Sequence, residues 1–117
     1  MIYLILWAHW VADFVLQNDS MAKGKSHSNG WLSKHIAAYS SALLLAVFLG
    51  THATFPHALA YTAVNGAAHF ATDYVTSRMT SKLWKQQRVH DFFVVIGLDQ
   101  AIHLTTLVAT LPLLGAA

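Results

Sequence analysis

The sequence predicts an all-α integral membrane four-helix bundle, and three observations carry that fold class. Of 117 residues, 56% are hydrophobic and only 10% are charged, well under half the usual globular share of charge. The apolar residues gather in four stretches. All seven Lys and Arg residues fall in two of the gaps between those stretches. Such segregation excludes disorder, a coiled coil and a basic nucleic-acid arm, so membrane lipid is the expected surrounding and no nucleic acid is an expected partner.

The expected crossings of this single transmembrane domain (1–117) cover about residues 2–17, 35–50, 55–77 and 92–114. A crossing takes roughly 20 apolar residues, or as few as about 17, so the first two draw on flanking residues or local thinning of the bilayer. The first stretch is read as mature structure rather than a signal peptide. It has no basic flank, His9 and Asp13 interrupt it, and no convincing cleavage site follows. Lys23, Lys25 and Lys34 lie in the loop at 17–34, and Arg78, Lys82, Lys85 and Arg88 in the loop at 78–91, whereas the turn at 50–55 has no basic residue. The positive-inside rule makes the two basic loops cytoplasmic. The topology is then up-down-up-down in a bacterial inner membrane, with both termini on the outer side. Tyr3, Trp7, Trp31 and Trp84 suit interfacial anchors, and residues 81–93 suit a short amphipathic helix on the cytoplasmic surface.

The chain contains neither Cys nor Glu. Disulfides, thiolate metal sites and cysteine nucleophiles are therefore excluded, and acidic chemistry falls to five aspartates. Three of these pair with histidine four residues away inside the apolar stretches: His9 with Asp13, His69 with Asp73, and Asp99 with His103. On a helix this spacing stacks both side chains on one face, roughly 5–6 Å apart. The order reverses in the last pair, and so does the direction of that span. His9, His69 and His103 should therefore form one layer across the bundle, and Asp13, Asp73 and Asp99 a second layer one turn nearer the cytoplasm. His35, which opens the second span one turn before Tyr39, should reach the aspartates.

One such pair is usually a structural hydrogen bond. Three converging pairs are another matter, because an aspartate at a span centre costs about 2.5–3.5 kcal/mol while each large aliphatic residue returns only about 0.3–0.6. Facing carboxylates also repel, so they must be protonated, hydrated or neutralised by cations. Imidazole and carboxylate are shared ligands of divalent metals. The expected metal ligands are His9, Asp13, His35, His69, Asp73, Asp99 and His103, holding Zn²⁺ or Mn²⁺, as one ion or two. Gln17, Tyr39, Asn65 and Gln100 are the expected hydrogen-bond partners of those ligands or of neighbouring helices. Lys34 and Arg78 are candidates for binding an anionic substrate, Arg78 with membrane snorkelling as its alternative. His27, His52, His57 and His90 read as exposed loop or span-end histidines. The small residues around Gly66 should permit close helix approach.

The run HWVADFVLQNDSM from His9 to Met21, then Lys25, His35 with Tyr39, NGAAHFATD from Asn65 to Asp73, and GLDQAIH from Gly97 to His103 resembles the domain-of-unknown-function 3307 family of small bacterial and phage membrane proteins. The resemblance covers nearly the whole chain. It implies several spans and singles out His9, Asp13, Gln17, His35, His69, Asp73, Asp99 and His103, without implying a substrate. A looser likeness to membrane-bound metal-dependent hydrolases is analogy alone.

The leading functional expectation is an inner-membrane metal-dependent hydrolase in which a metal-activated water attacks a lipid-linked or membrane-proximal substrate, with Asp13, Asp73 and Asp99 as catalytic carboxylates. A transporter or channel for divalent ions or protons uses the same residues, and suits a homo-oligomer, since four short helices enclose little volume. A small membrane interaction protein, with the polar cluster fixing the bundle, is the third class.

Overall fold

A computed structural model describes residues 1–115, and among these the chain is helical with short connections and no strand. Helix α1 (Ile2–Trp10) passes directly into a π-helical segment (Val11–Val15), followed by short α2 (Asp19–Gly24), α3 (Asn29–Gly50), α4 (Phe55–Lys85), α5 (Val89–Ala109) and a 3₁₀ turn (Leu111–Leu114). Helices α3 and α5 are long and apolar enough to cross a membrane. The apolar stretch Ile2–Val15 is shorter. Helix α4, at 31 residues, is the least apolar of the long helices, because a stripe of Thr, Asn, His, Asp and Ser runs along its buried face.

Local chemistry explains where the helices begin and end. Asn18 accepts a hydrogen bond from the Met21 amide (2.8 Å) and so starts α2 inside the first basic loop. Ser28 accepts one from the Trp31 amide (3.4 Å), which starts α3 at Asn29 rather than near residue 35. Pro56 occupies the first turn of α4, where its missing N–H costs nothing. The short amphipathic helix expected at 81–93 is not formed: α4 continues to Lys85, and a turn with Gln87 at φ 58° leads straight into α5. Residues 81–85 simply extend the α4 hydrogen-bond ladder, and only the left-handed residue breaks it.

Helix α4 is the central element and packs against both α3 and α5. Close approach to α3 is possible because position 66 is glycine; a Cβ there would lie 2.6 Å from Ser40 Oγ. The apolar core, built on Ile5, Tyr39, Leu43, Val47, Tyr61 and Leu107, fills the end of the bundle nearer the turn between α3 and α4. Toward the basic loops the interior becomes polar. His9, Asp13, His35, His69, Asp73 and His103 are all at most 4% exposed, while Tyr3, Trp7, Leu49 and Phe93 are at least 60% exposed.

Candidate metal centre

Four elements supply the buried cluster. Asp13 lies in the π segment, where the Leu16 amide donates to Val11 O five residues back (2.9 Å). That one-residue expansion resets the helix face presented by Asp13, a use to which π-bulges are often put. His35 enters from the second turn of α3, His69 and Asp73 from the middle of α4, and Asp99 and His103 from α5.

The closest grouping has four corners. His35 Nε2 lies 3.0 Å from Asp13 Oδ1, 3.0 Å from His69 Nε2 and 3.4 Å from Asp73 Oδ2; His69 Nε2 lies 3.2 Å from Asp13 Oδ1 and 3.7 Å from Asp73 Oδ2. A tetrahedral metal with bonds near 2.0–2.1 Å has ligand–ligand edges of about 3.3–3.4 Å. The five distances straddle that value, so the donor atoms enclose a space of the right size for such an ion. Asp13, Asp99 and His103 also present donor atoms within 4.8 Å of one another. The buried cluster can therefore hold a metal ion. His35 Nε2 faces three electron-rich atoms that a shared cation would bind together, whereas its buried Nδ1 has no hydrogen-bond partner.

The surrounding bonds fix the roles of the remaining residues. Gln100 Nε2 donates to Asp13 Oδ2 (2.9 Å) and Asp99 Oδ2 (3.1 Å), which orients its amide oxygen toward His9 Nε2 at 2.9 Å. Because that oxygen only accepts, His9 Nε2 must donate, leaving its Nδ1 to accept from Tyr39 Oη at 3.0 Å. Both nitrogens of His9 are thus engaged. Although expected as a metal ligand, His9 instead braces Gln100, and through it Asp13. Tyr39 also stacks on the His69 ring at 4.1 Å with an interplanar angle of 7°. Asp99 accepts from Thr76 Oγ1 at 2.5 Å.

Other candidates lie elsewhere. Asn65 donates to Tyr61 O and Thr110 Oγ1, tying α4 to the end of α5 rather than bonding a ligand. Lys34 sits over the Trp31 ring (4.3 Å), and Arg78 lies over Tyr74 while donating to Asn29 Oδ1, so neither side chain faces the cluster. Both are held on the outer faces of their helices by these aromatic contacts. His27, His52, His57 and His90 are exposed. Gln17 lies beside the cluster with its amide oxygen buried and unpartnered.

Sequence reasoning missed Lys25. Its Nζ donates to Asp73 Oδ2 at 2.9 Å, bringing a cation from the first basic loop into contact with a carboxylate that is 1% exposed. Capping of α2 by Asn18 and the contact of Gly24 with Trp31 deliver it there. The signal was available in two forms: three buried carboxylates demand positive charge, and Lys25 stands within the family-like run.

A cavity of about 620 Å³ leads from the basic-loop end to Asp13, Asp99 and Gln100. Phe14, Trp84, Phe92, Phe93 and Ile96 form an apolar wall; Lys23, Lys25 and Lys85 bring positive charge.

A sequence profile described as a protein of unknown function, DUF3307, matches residues 1–115. The chain belongs to the DUF3307 family. No curated protein and no solved structure matches the chain.

Proposed function

We propose that this DUF3307 protein is an inner-membrane, metal-dependent hydrolase that acts on a lipid-linked or membrane-proximal substrate reaching it from the cytoplasmic side. The observation that carries the reading is that one corner of the donor cluster, Asp13, lines a cavity together with Asp99, while His35, His69 and Asp73 lie buried behind it. The membrane placement rests on the inverted distribution of polarity, with His and Asp inside and Trp, Phe and Leu outside, and the orientation on the basic loops.

Charge balance favours one divalent ion. Asp13, Asp73 and Asp99 bring three negative charges, Lys25 brings one positive, and a single divalent cation neutralises the remainder. His35, His69 and Asp13 make the tightest triangle and would hold the ion, with Asp73, shared with Lys25, as the looser fourth corner. Bound there, a Zn²⁺- or Mn²⁺-like ion would supply Lewis acidity and lower the pKa of water. Asp99 lines the cavity outside the four-atom set, so it is the carboxylate free to accept a proton from water, with Thr76 and Gln100 fixing its orientation. Apolar packing favours this reading over ion conduction: past His9 and Tyr39 the bundle is closed by Leu43, Val47, Ala58 and Leu107.

Elemental analysis of detergent-purified protein tests the metal. The wild type should carry close to one ion per chain, and Asp13→Asn or His69→Ala almost none; a metal-replete wild type below about 0.1 per chain overturns the reading. Catalysis is tested by mass spectrometry of a total bacterial lipid extract incubated with the protein. A cleaved product should appear with the wild type, vanish on chelation, and be absent with a metal-loaded Asp99→Asn variant.

A further inference from the structure

The cavity has more structure than a water channel to a metal would need. Asp13 and Asp99 are the acidic part of its buried lining, beside Gln100, and Ser26, Ser77, Thr80 and Ser81 also line it. Lys23, Lys25 and Lys85 belong to the same lining. Lys25 is committed to Asp73. Lys23 and Lys85 have no such buried partner, and both are exposed.

The apolar part of the lining has a different chemistry. Phe14, Trp84 and Phe93 line the cavity yet are 47%, 58% and 60% exposed. Each therefore shows one side to the cavity and the other to the apolar outer surface, so the cavity opens sideways onto the part of the surface that faces hydrocarbon at the depth of the basic loops. Ser26, Ser77 and Thr80 already donate to backbone carbonyls, so an occupant matching both kinds of lining carries an anionic head beside Lys23 and Lys85, and an apolar chain leaving past the aromatic residues.

Resting on the proposed membrane-embedded site, we infer that its ligand is a lipid ending in a phosphate group, with the phosphate held by Lys23 and Lys85 and the chain lying between Phe14 and Phe93. This assigns substrate recognition to two lysines inside the cavity and removes it from Lys34 and Arg78.

The test is a titration of full-length protein, held in nanodiscs of neutral lipid, with a fluorescent phosphatidic acid. Competition by unlabelled phosphatidic acid, phosphatidylcholine and inorganic phosphate separates the contributions of head and chain. Unlabelled phosphatidic acid should compete at least about tenfold better than either of the others. The double variant Lys23→Gln/Lys85→Gln should weaken binding about tenfold, whereas Lys34→Gln/Lys82→Gln, which removes the same charge outside the cavity, should leave it within about twofold. Thr80→Trp, which fills the cavity without changing charge, should also abolish binding. Equal competition by phosphatidylcholine overturns the proposal by making the groove merely apolar, and equal competition by free phosphate overturns it by making the chain irrelevant. Equal loss in the two lysine pairs overturns it in favour of general surface attraction. Elemental analysis reads the hydrolase proposal separately: a metal-free chain that binds phosphatidic acid selectively defeats catalysis alone, and a metal-loaded chain without that selectivity defeats this ligand alone.

Discussion

His69 places one ring nitrogen against Asp13 and His35 and the other 3.0 Å from His103 Nδ1. A neutral imidazole carries one proton, so a lone pair given by His69 Nε2 to a cation leaves the proton on Nδ1, which then donates to His103 Nδ1. His103 must in turn carry its proton on Nε2, where it donates to Asp73 Oδ1 (3.1 Å). With neutral imidazoles, His69 and His103 therefore cannot both give Nε2 to metal, and His103 becomes the residue that orients His69 and Asp73. His103→Ala should weaken metal affinity by about 10- to 100-fold yet still load near full stoichiometry at high metal, whereas His69→Ala should not load at any concentration. Equal failure of both variants in a metal titration would make His103 a direct ligand. Lys25 belongs to the same scale. Lys25→Met strands Asp73 in the interior and should cost about 3–5 kcal/mol in thermal unfolding of the metal-stripped protein, with Lys25→Arg recovering much of the loss; unchanged stability in Lys25→Met would mean that Asp73 needs no compensating charge.

Two elements set the geometry that those residues use. The π segment presents Asp13 to His35 and His69, and α2 carries Lys25 to Asp73. The second device depends on Gly24, where a Cβ would stand 2.5 Å from the Trp31 ring. That ring cannot yield as a flexible chain end can, so Gly24→Ala should displace α2 at a cost of about 1–3 kcal/mol. The same variant should also lose part of the Lys25 contribution, and a Gly24→Ala/Lys25→Met double variant should consequently be less destabilised than the sum of its parts. Strict additivity in thermal unfolding would separate the two effects. Neither device has a signature in hydrophobic pattern, because α2 is a short, polar helix and a π-bulge alters hydrogen-bond register without altering composition.

At the scale of the molecule, polarity is partly inverted: imidazoles and carboxylates occupy one end of the interior, while large apolar residues such as Tyr3, Trp7, Trp84, Leu49 and Phe93 face outward. In the proposed membrane placement, hydrocarbon would accommodate that outer surface and leave the buried polar groups to seek one another. The absence of cysteine allows a clean test of orientation. His52→Cys, in the exposed turn before α4, should react with an impermeant thiol reagent applied to intact cells, and Lys85→Cys only after lysis. The reverse pattern would invert the bundle and place the cavity on the outer side.

The helical class and the residues of the polar cluster were legible in the sequence because both are periodic: apolar stretches report length, and a His and an Asp four apart report a shared face. The reversed pair in α5 even carried the antiparallel relation of that helix to α4. What periodicity could not assign was which atom meets which. Only the tertiary structure separates His9, saturated by Tyr39 and Gln100, from His35, whose Nε2 sits among three donor atoms. The extension of α4 to Lys85 and the arrival of Lys25 at Asp73 were likewise decided by packing. A face is a property of one helix, but a coordination shell depends on distances between several, and those are set by side-chain contacts that no single stretch of sequence contains.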